Sequence, residues 1–178
     1  TGDDGFYAMN EWLAQGRQVL HQIPVPGINS SVPADEASVY AFWKAKRGLS
    51  DPGMSGVIAD EFFGEMKSMA AYHAGIRRIR AEHPDRVFYP YIAGDPKKLW
   101  NFVGPIKDTG CRFAFERYLK ERRTEAEAVA TVTRDLKQAM QDFEALQPGF
   151  ADKLIIVLGF LCGPNESTNA NPDADFKV

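Results

Sequence analysis

Acidic residues close several of the apolar runs in this sequence, and acids placed that way can do proton-transfer chemistry. Gly56-Val57-Ile58-Ala59-Asp60-Glu61-Phe62-Phe63 reads as a buried strand ending in adjacent acids. Cys111-Arg112-Phe113-Ala114-Phe115-Glu116-Arg117-Tyr118 alternates, with Arg112, Ala114, Glu116 and Tyr118 on one face and Phe113, Phe115 and Arg117 on the other. Glu166 follows a further strand, in Gly163-Pro164-Asn165-Glu166-Ser167. Carboxylates are costly to desolvate, so acids following an apolar run call for an explanation. Glu61, Glu116 and Glu166 are the candidate catalytic residues. Asp60, Tyr91, Arg117, Tyr118 and Asn165 are the candidate substrate contacts.

Strand alternation assigns directions. Val57, Ala59 and Glu61 share one face; Ile58, Asp60 and Phe62 share the other. The first set is smaller, which suits a crowded barrel interior. Glu61 is then expected to point into the mouth, with Asp60 toward the helices or capping the next one. A plainer reading stands beside this. Asp60 and Glu61 could both cap that helix, since anions are stabilised at helix N-termini. Glu116 could pair with Arg112 or Arg117, Glu166 could face solvent, and Tyr89 and Tyr91 could be core.

The residue inventory narrows the chemistry. The three histidines, His21, His73 and His83, fall on or beside expected helices. A histidine-based zinc or iron site is not expected. No GxSxG elbow, P-loop or GxGxxG follows a strand. No cofactor is called for. Carboxylates amid Tyr, Asn and Arg suit glycoside hydrolysis, in which two acids stand ~5 to 9.5 Å apart. Glu61 and Glu116 would lie two strands apart at ~4.8 Å per step. The alternatives are a non-catalytic glycan-binding or structural α/β domain, and a metal-assisted enzyme holding Mg²⁺ or Ca²⁺ through Asp60, Glu61 and Glu116.

The elements that position these residues alternate between helix and strand, the pattern of a parallel sheet with crossover helices. Helices are expected over Met9–Gln22, Ala34–Arg47 with Pro33 at its first turn, Glu65–Glu82, from Asp95-Pro96 onward, and over Thr124–Leu146 behind a capping box. Strands are expected over Ile23–Ile28, Gly56–Phe63, Val87–Ala93, Cys111–Tyr118 and Lys153–Cys162. Phe176-Lys177-Val178 reads as the opening of another. Residues 1–178 form a single α/β domain or the central and later part of a (β/α)₈ barrel, which typically needs ~250 residues. An open doubly wound sheet is the alternative. The stop at Val178 and the lack of a strand before the first helix favour the barrel. In either architecture ligands meet the C-terminal ends of the strands.

Composition adds bounds. With 178 residues, 44% hydrophobic and 25% charged, the chain can bury a real core. A formal charge of -3 offers no footprint for nucleic acid or an anionic membrane. No apolar run approaches the ~20 residues of a membrane span. Cys111 and Cys162 are expected to be buried free thiols. The chain begins Thr1-Gly2-Asp3-Asp4, as a processed or excised start would.

The run of strand–helix units, with Ala59-Asp60-Glu61-Phe62 ending one strand and Glu116 another, resembles (β/α)₈ glycoside hydrolases. In the large retaining group of these the acid/base closes the fourth strand and the nucleophile the seventh. Aligned so that Gly56–Phe63 is the fourth, Lys153–Cys162 is the seventh. The resemblance then implies Glu61 as acid/base and the Glu166 region as nucleophile. Asp60 stands where that group usually carries Asn. The implied partners are a carbohydrate substrate and the remainder of the barrel or a partner chain. The implied location is secreted or periplasmic.

Overall fold

In a computed structural model, residues 4–118 and 124–159 are described. The order is helix α1 (Asp4–Ala14), strand β1 (Leu20–Pro24), helices α2 (Glu36–Lys44) and α3 (Arg47–Ser50), strand β2 (Gly56–Phe62), helix α4 (Met69–Glu82), strand β3 (Val87–Ile92), helix α5 (Pro96–Val103), strand β4 (Phe113–Tyr118), helix α6 (Glu125–Leu146) and strand β5 (Leu154–Gly159). The strands form one five-stranded sheet in the order β1-β2-β3-β4-β5, every pair parallel. A doubly wound sheet reverses its order at a switch point. Among the described residues the order does not reverse.

The helices begin where their caps dictate. The Asp95 carboxylate accepts from the Lys97 and Lys98 amides at 2.8 and 3.4 Å, and Pro96 occupies the first turn of α5. Thr124 Oγ1 accepts from the Glu127 amide at 3.2 Å, which opens α6 as its capping box requires. Asp35 caps α2 by accepting from the Ser38 amide at 2.9 Å. Pro33 therefore lies ahead of the helix rather than in its first turn. The expected helix over Ala34–Arg47 divides into α2 and α3.

The N-terminal region departs furthest from expectation. The helix expected over Met9–Gln22 ends at Ala14, and Gly16, at φ 71°, turns the chain out of it. Leu20–Pro24 is strand, and Pro26 makes only an isolated bridge with Ser30. Pairing with β2 runs from Leu20 to Pro24, although proline supplies no ladder donor of its own. Trp12 stays exposed, with the Arg17 guanidinium 4.5 Å above its ring.

One hydrophobic cluster joins helices to sheet. Trp43 of α2, Ile76 of α4, Phe102 of α5 and Phe143 of α6 enter it with Val57, Ala59, Phe88, Phe113 and Phe115 from the strands. Phe62 stacks on Phe102 at 4.4 Å, and Phe115 meets Phe143 edge-on at 5.3 Å. These strand residues alternate with Ile58, Tyr89, Tyr91, Ala114 and Glu116, which lie on the opposite face. The expected orientation of β2 is thus reversed. Val57 and Ala59 face the helices and Asp60 faces away from them. Small size was a poor guide there, because Val57 and Ala59 are fully buried in the same core cluster as the large helix residues Trp43 and Phe102.

Candidate active site

Register sets the floor of the site. Pro24, Asp60, Tyr91 and Ala114 are successive neighbours across β1 to β4, one row at the C-terminal end of the sheet. Glu116 stands two residues further along β4, on the same face as Ala114.

Glu61 joins this row through an irregularity. Asp60 pairs with Tyr91 and Phe62 with Ile92, so Glu61 has no partner on β3. Strict alternation would send consecutive acids to opposite faces. An extra residue in the ladder rotates the strand locally. The Asp60–Glu61 peptide is cis. Both acids line one cleft of about 440 Å³, together with Gln22, Ile58, Tyr91 and Glu116. The expectation that Glu61 and Asp60 part company fails because the ladder slips between them.

Neighbouring groups hold the Asp60 turn. Gln22 Nε2 donates to Asp60 Oδ2 at 2.9 Å. Asn29 Nδ2 donates to the Asp60 carbonyl, while Asn29 Oδ1 accepts from the Val25 amide at 2.6 Å. A smaller pocket of about 250 Å³, lined by Gln22, Ile23, Pro24, Asn29 and Asp60, adjoins the main cleft across the Gln22–Asp60 pair.

The electrostatics follow from this crowding. Burial first, then the charges of Glu116 and Asp60, holds the Glu61 carboxyl above the usual carboxylate range. Burial, then Glu116, Asp60 and Glu61 in that order, pushes the Tyr91 phenol up to about 12. Tyr91 thus feels Glu116, Asp60 and Glu61, which line the same cleft. Glu116 is only 6% exposed and receives no hydrogen bond or ion pair from a described residue.

The plainer readings fare differently. Ser68 occupies the N-cap of α4, so Asp60 and Glu61 do not cap that helix. Arg112 is exposed. Arg117 lies on the helix side of β4, its guanidinium 4.1 Å above the Phe115 ring, in a separate groove with Asp95, Asp135 and Asp142. Burial draws that guanidinium below its ordinary value, and Nε has no partner. Arg117 therefore does not meet the cleft containing Glu116, as alternation along β4 implies. Tyr91 is partly buried in the cleft and not in the core cluster.

Tyr118 is the last residue of β4. Asn165, Glu166 and Cys162 lie outside the described residues. Cys111 is a buried free thiol. Among the described residues no group of His, Cys, Asp or Glu side chains is arranged to hold a metal ion. No helix among them is long and apolar enough to cross a membrane.

Gln22, Ile58 and Asn29 belong to the site but were not expected there. The signal for Gln22 was present: it is a polar residue near the end of an apolar stretch. It was hidden because the helix was expected to run through it. Asn29 acts from a loop, where sequence gives no direction. Compared with known protein families, with curated proteins and with solved structures, the chain matches none.

Proposed function

We propose that this protein is a carbohydrate-active hydrolase in which Glu61 is the general acid and Glu116 the second carboxylate. One observation carries the reading: Glu61 and Glu116 line a common cleft at strand C-terminal ends, and Glu116 raises the cost of charge on Glu61. A general acid needs its proton near working pH, and burial among like charges supplies that condition. Glu61 donates this proton to the glycosidic oxygen as the bond breaks. Glu116 attacks the anomeric carbon or deprotonates a water that does so, and the gap between the carboxyls decides which. Tyr91, kept neutral, donates a hydrogen bond within the cleft. Asp60, tied to Gln22, adds negative charge that favours the protonated form of Glu61.

The same reading takes the five strands as an arc of a (β/α)₈ barrel. It is supported by the sequential strand order, by the helices sharing one core against one face, and by acids on the other face at strand C-terminal ends. A crystal structure of the native protein in which β1 and β5 remain unpaired edges would refute the barrel.

The hydrolase proposal is tested with Glu61→Gln and Glu61→Ala. Both are expected to abolish turnover of oligosaccharides with natural leaving groups while the circular dichroism spectrum stays native. Glu61→Ala is expected to keep partial activity on aryl glycosides whose leaving group needs no proton. Full activity of Glu61→Gln on a natural linkage would end the proposal.

A further inference from the structure

We infer that the cleft takes a glycan whose sugar units carry a protonated amine, and that it turns away anionic sugars. The glycan part rests on the hydrolase reading; the amine part rests on the charge and burial of the cleft itself.

Of the described side chains lining the cleft, Asp60, Glu61 and Glu116 are acidic and none is basic. The nearest cationic side chain in sequence, Arg117, is committed to the other side of β4 beside Asp95 and Asp135. No cation of the described chain thus offsets these acids.

Glu116 sharpens the point. It is 6% exposed, lines the cleft, and has no hydrogen-bond or ion-pair partner among the described residues. Buried polar groups in folded proteins are almost always satisfied, and a ligand that displaced water from the cleft without donating to this carboxyl would leave it unpaired at a cost. A bound ligand that brings donors and positive charge relieves that cost. An ammonium group brings both, with three donors and no acceptor. A sugar hydroxyl supplies a donor but leaves the charge uncompensated. A uronate or sulfate adds repulsion within a partly desolvated site, where like charges interact strongly. A metal ion is a poorer match, because the acids are not arranged to ligate one.

The cleft also suits an oligomer. Its volume of about 440 Å³ lies within the range of small-ligand sites. The adjoining pocket of about 250 Å³ shares the Gln22–Asp60 wall and lies where a neighbouring sugar unit would continue.

The test is calorimetric binding to the Glu61→Gln protein, which removes turnover from the measurement. The probes are tetramers of β-1,4-linked glucosamine, of β-1,4-linked glucose and of galacturonate, at a pH where the amines are charged. The glucosamine tetramer is expected to bind about tenfold tighter than the glucose tetramer at roughly 0.05 M salt, and less so at roughly 0.5 M. The galacturonate tetramer is expected not to bind. Adding Glu116→Gln is expected to erase the glucosamine advantage. Asp60→Asn reads the same effect should Glu116→Gln not fold. Equal binding of glucose, binding of galacturonate, an advantage that survives both substitutions, or no binding by any tetramer would overturn the inference. Preferred binding of a glucosamine tetramer that wild-type protein never cleaves would leave the amine site standing and remove the hydrolase. Cleavage of glucose tetramers without amine preference would do the reverse.

Discussion

Gln22 Nε2 donates to Asp60 Oδ2 across 2.9 Å, tying β1 to the acidic end of β2 beside the cleft. The bond is solvent-exposed, and such a bond contributes ~0.5 to 1.5 kcal/mol at most. Its larger effect is on direction, because Asp60 precedes Glu61 at the ladder slip. Gln22→Leu removes the donor at similar volume. We expect a melting temperature within a few degrees of wild type and a roughly tenfold fall in kcat/KM. Unchanged kcat/KM would show that Asp60 needs no such tether.

Glu61 gives a prediction for stability. Its folded-state carboxyl is held above the ordinary value of 4.5 by burial, Glu116 and Asp60. A group raised on folding binds its proton more tightly in the native state. Its contribution is therefore fully present below about pH 4.5 and is lost as pH rises through the raised value. Above that value Glu61 is a net liability. Glu61→Gln removes the charge, so it is expected to raise the melting temperature at pH 7. The gain is expected to vanish toward pH 4. Thermal melts of both proteins across that interval check the sign, and a variant less stable than wild type at pH 7 would contradict it.

Asp60 and Glu61 also show where the sequence was readable and where it was not. Strands β2, β3 and β4 and the caps Asp95 and Thr124 follow from alternation and cap chemistry. Those signals are local. The face of β2 did not follow, because the core cluster that Val57 and Ala59 join is completed by Trp43 and Phe102 on other elements. The shared direction of Asp60 and Glu61 depends on a slip against Tyr91 and Ile92, and no pattern within β2 records it. β1 was misplaced because Pro24 and Pro26 weaken its strand signal, while contact with β2 supplies what propensity lacks.

Asp60 offers a separate handle on catalysis. Its charge is one of the causes that raise Glu61. Asp60→Asn keeps an oxygen to accept from Gln22 but removes the charge. Glu61 then loses its proton at lower pH. For a hydrolase that needs Glu61 protonated, the alkaline limb of the kcat/KM profile moves to lower pH, while the acid limb does not move. A profile with both limbs unmoved would separate Asp60 from the electrostatics of the acid.

Tyr91 reports the same field without any substrate. Its phenol is pushed up to about 12 from an ordinary 10.0 by burial and by Glu116, Asp60 and Glu61. Alkaline difference spectra of wild type against Tyr91→Phe should isolate this late-ionising tyrosine. Glu116→Gln removes the largest charge contribution and is expected to bring that titration down. An unmoved titration would place Glu116 too far from the phenol for the cleft geometry to hold.

Gly64 links the fold to the site from behind. It follows β2 closely, and a Cβ there would strike the backbone of Lys98 in the first turn of α5. The chain leaving Glu61 therefore lies directly against a helix whose start is fixed by Asp95 and Pro96. Backbone on both sides leaves no flexible side chain to give way. Gly64→Ala must push the end of β2 or displace α5, and overpacking of this kind costs ~1 to 3 kcal/mol. A shift of about 1 Å at a catalytic group can cost about a hundredfold in rate. The variant is expected to lose stability in urea titrations and to lose kcat/KM well beyond any loss in the folded fraction. Equal losses in both would mean that the displacement falls on α5 and leaves Glu61 in place.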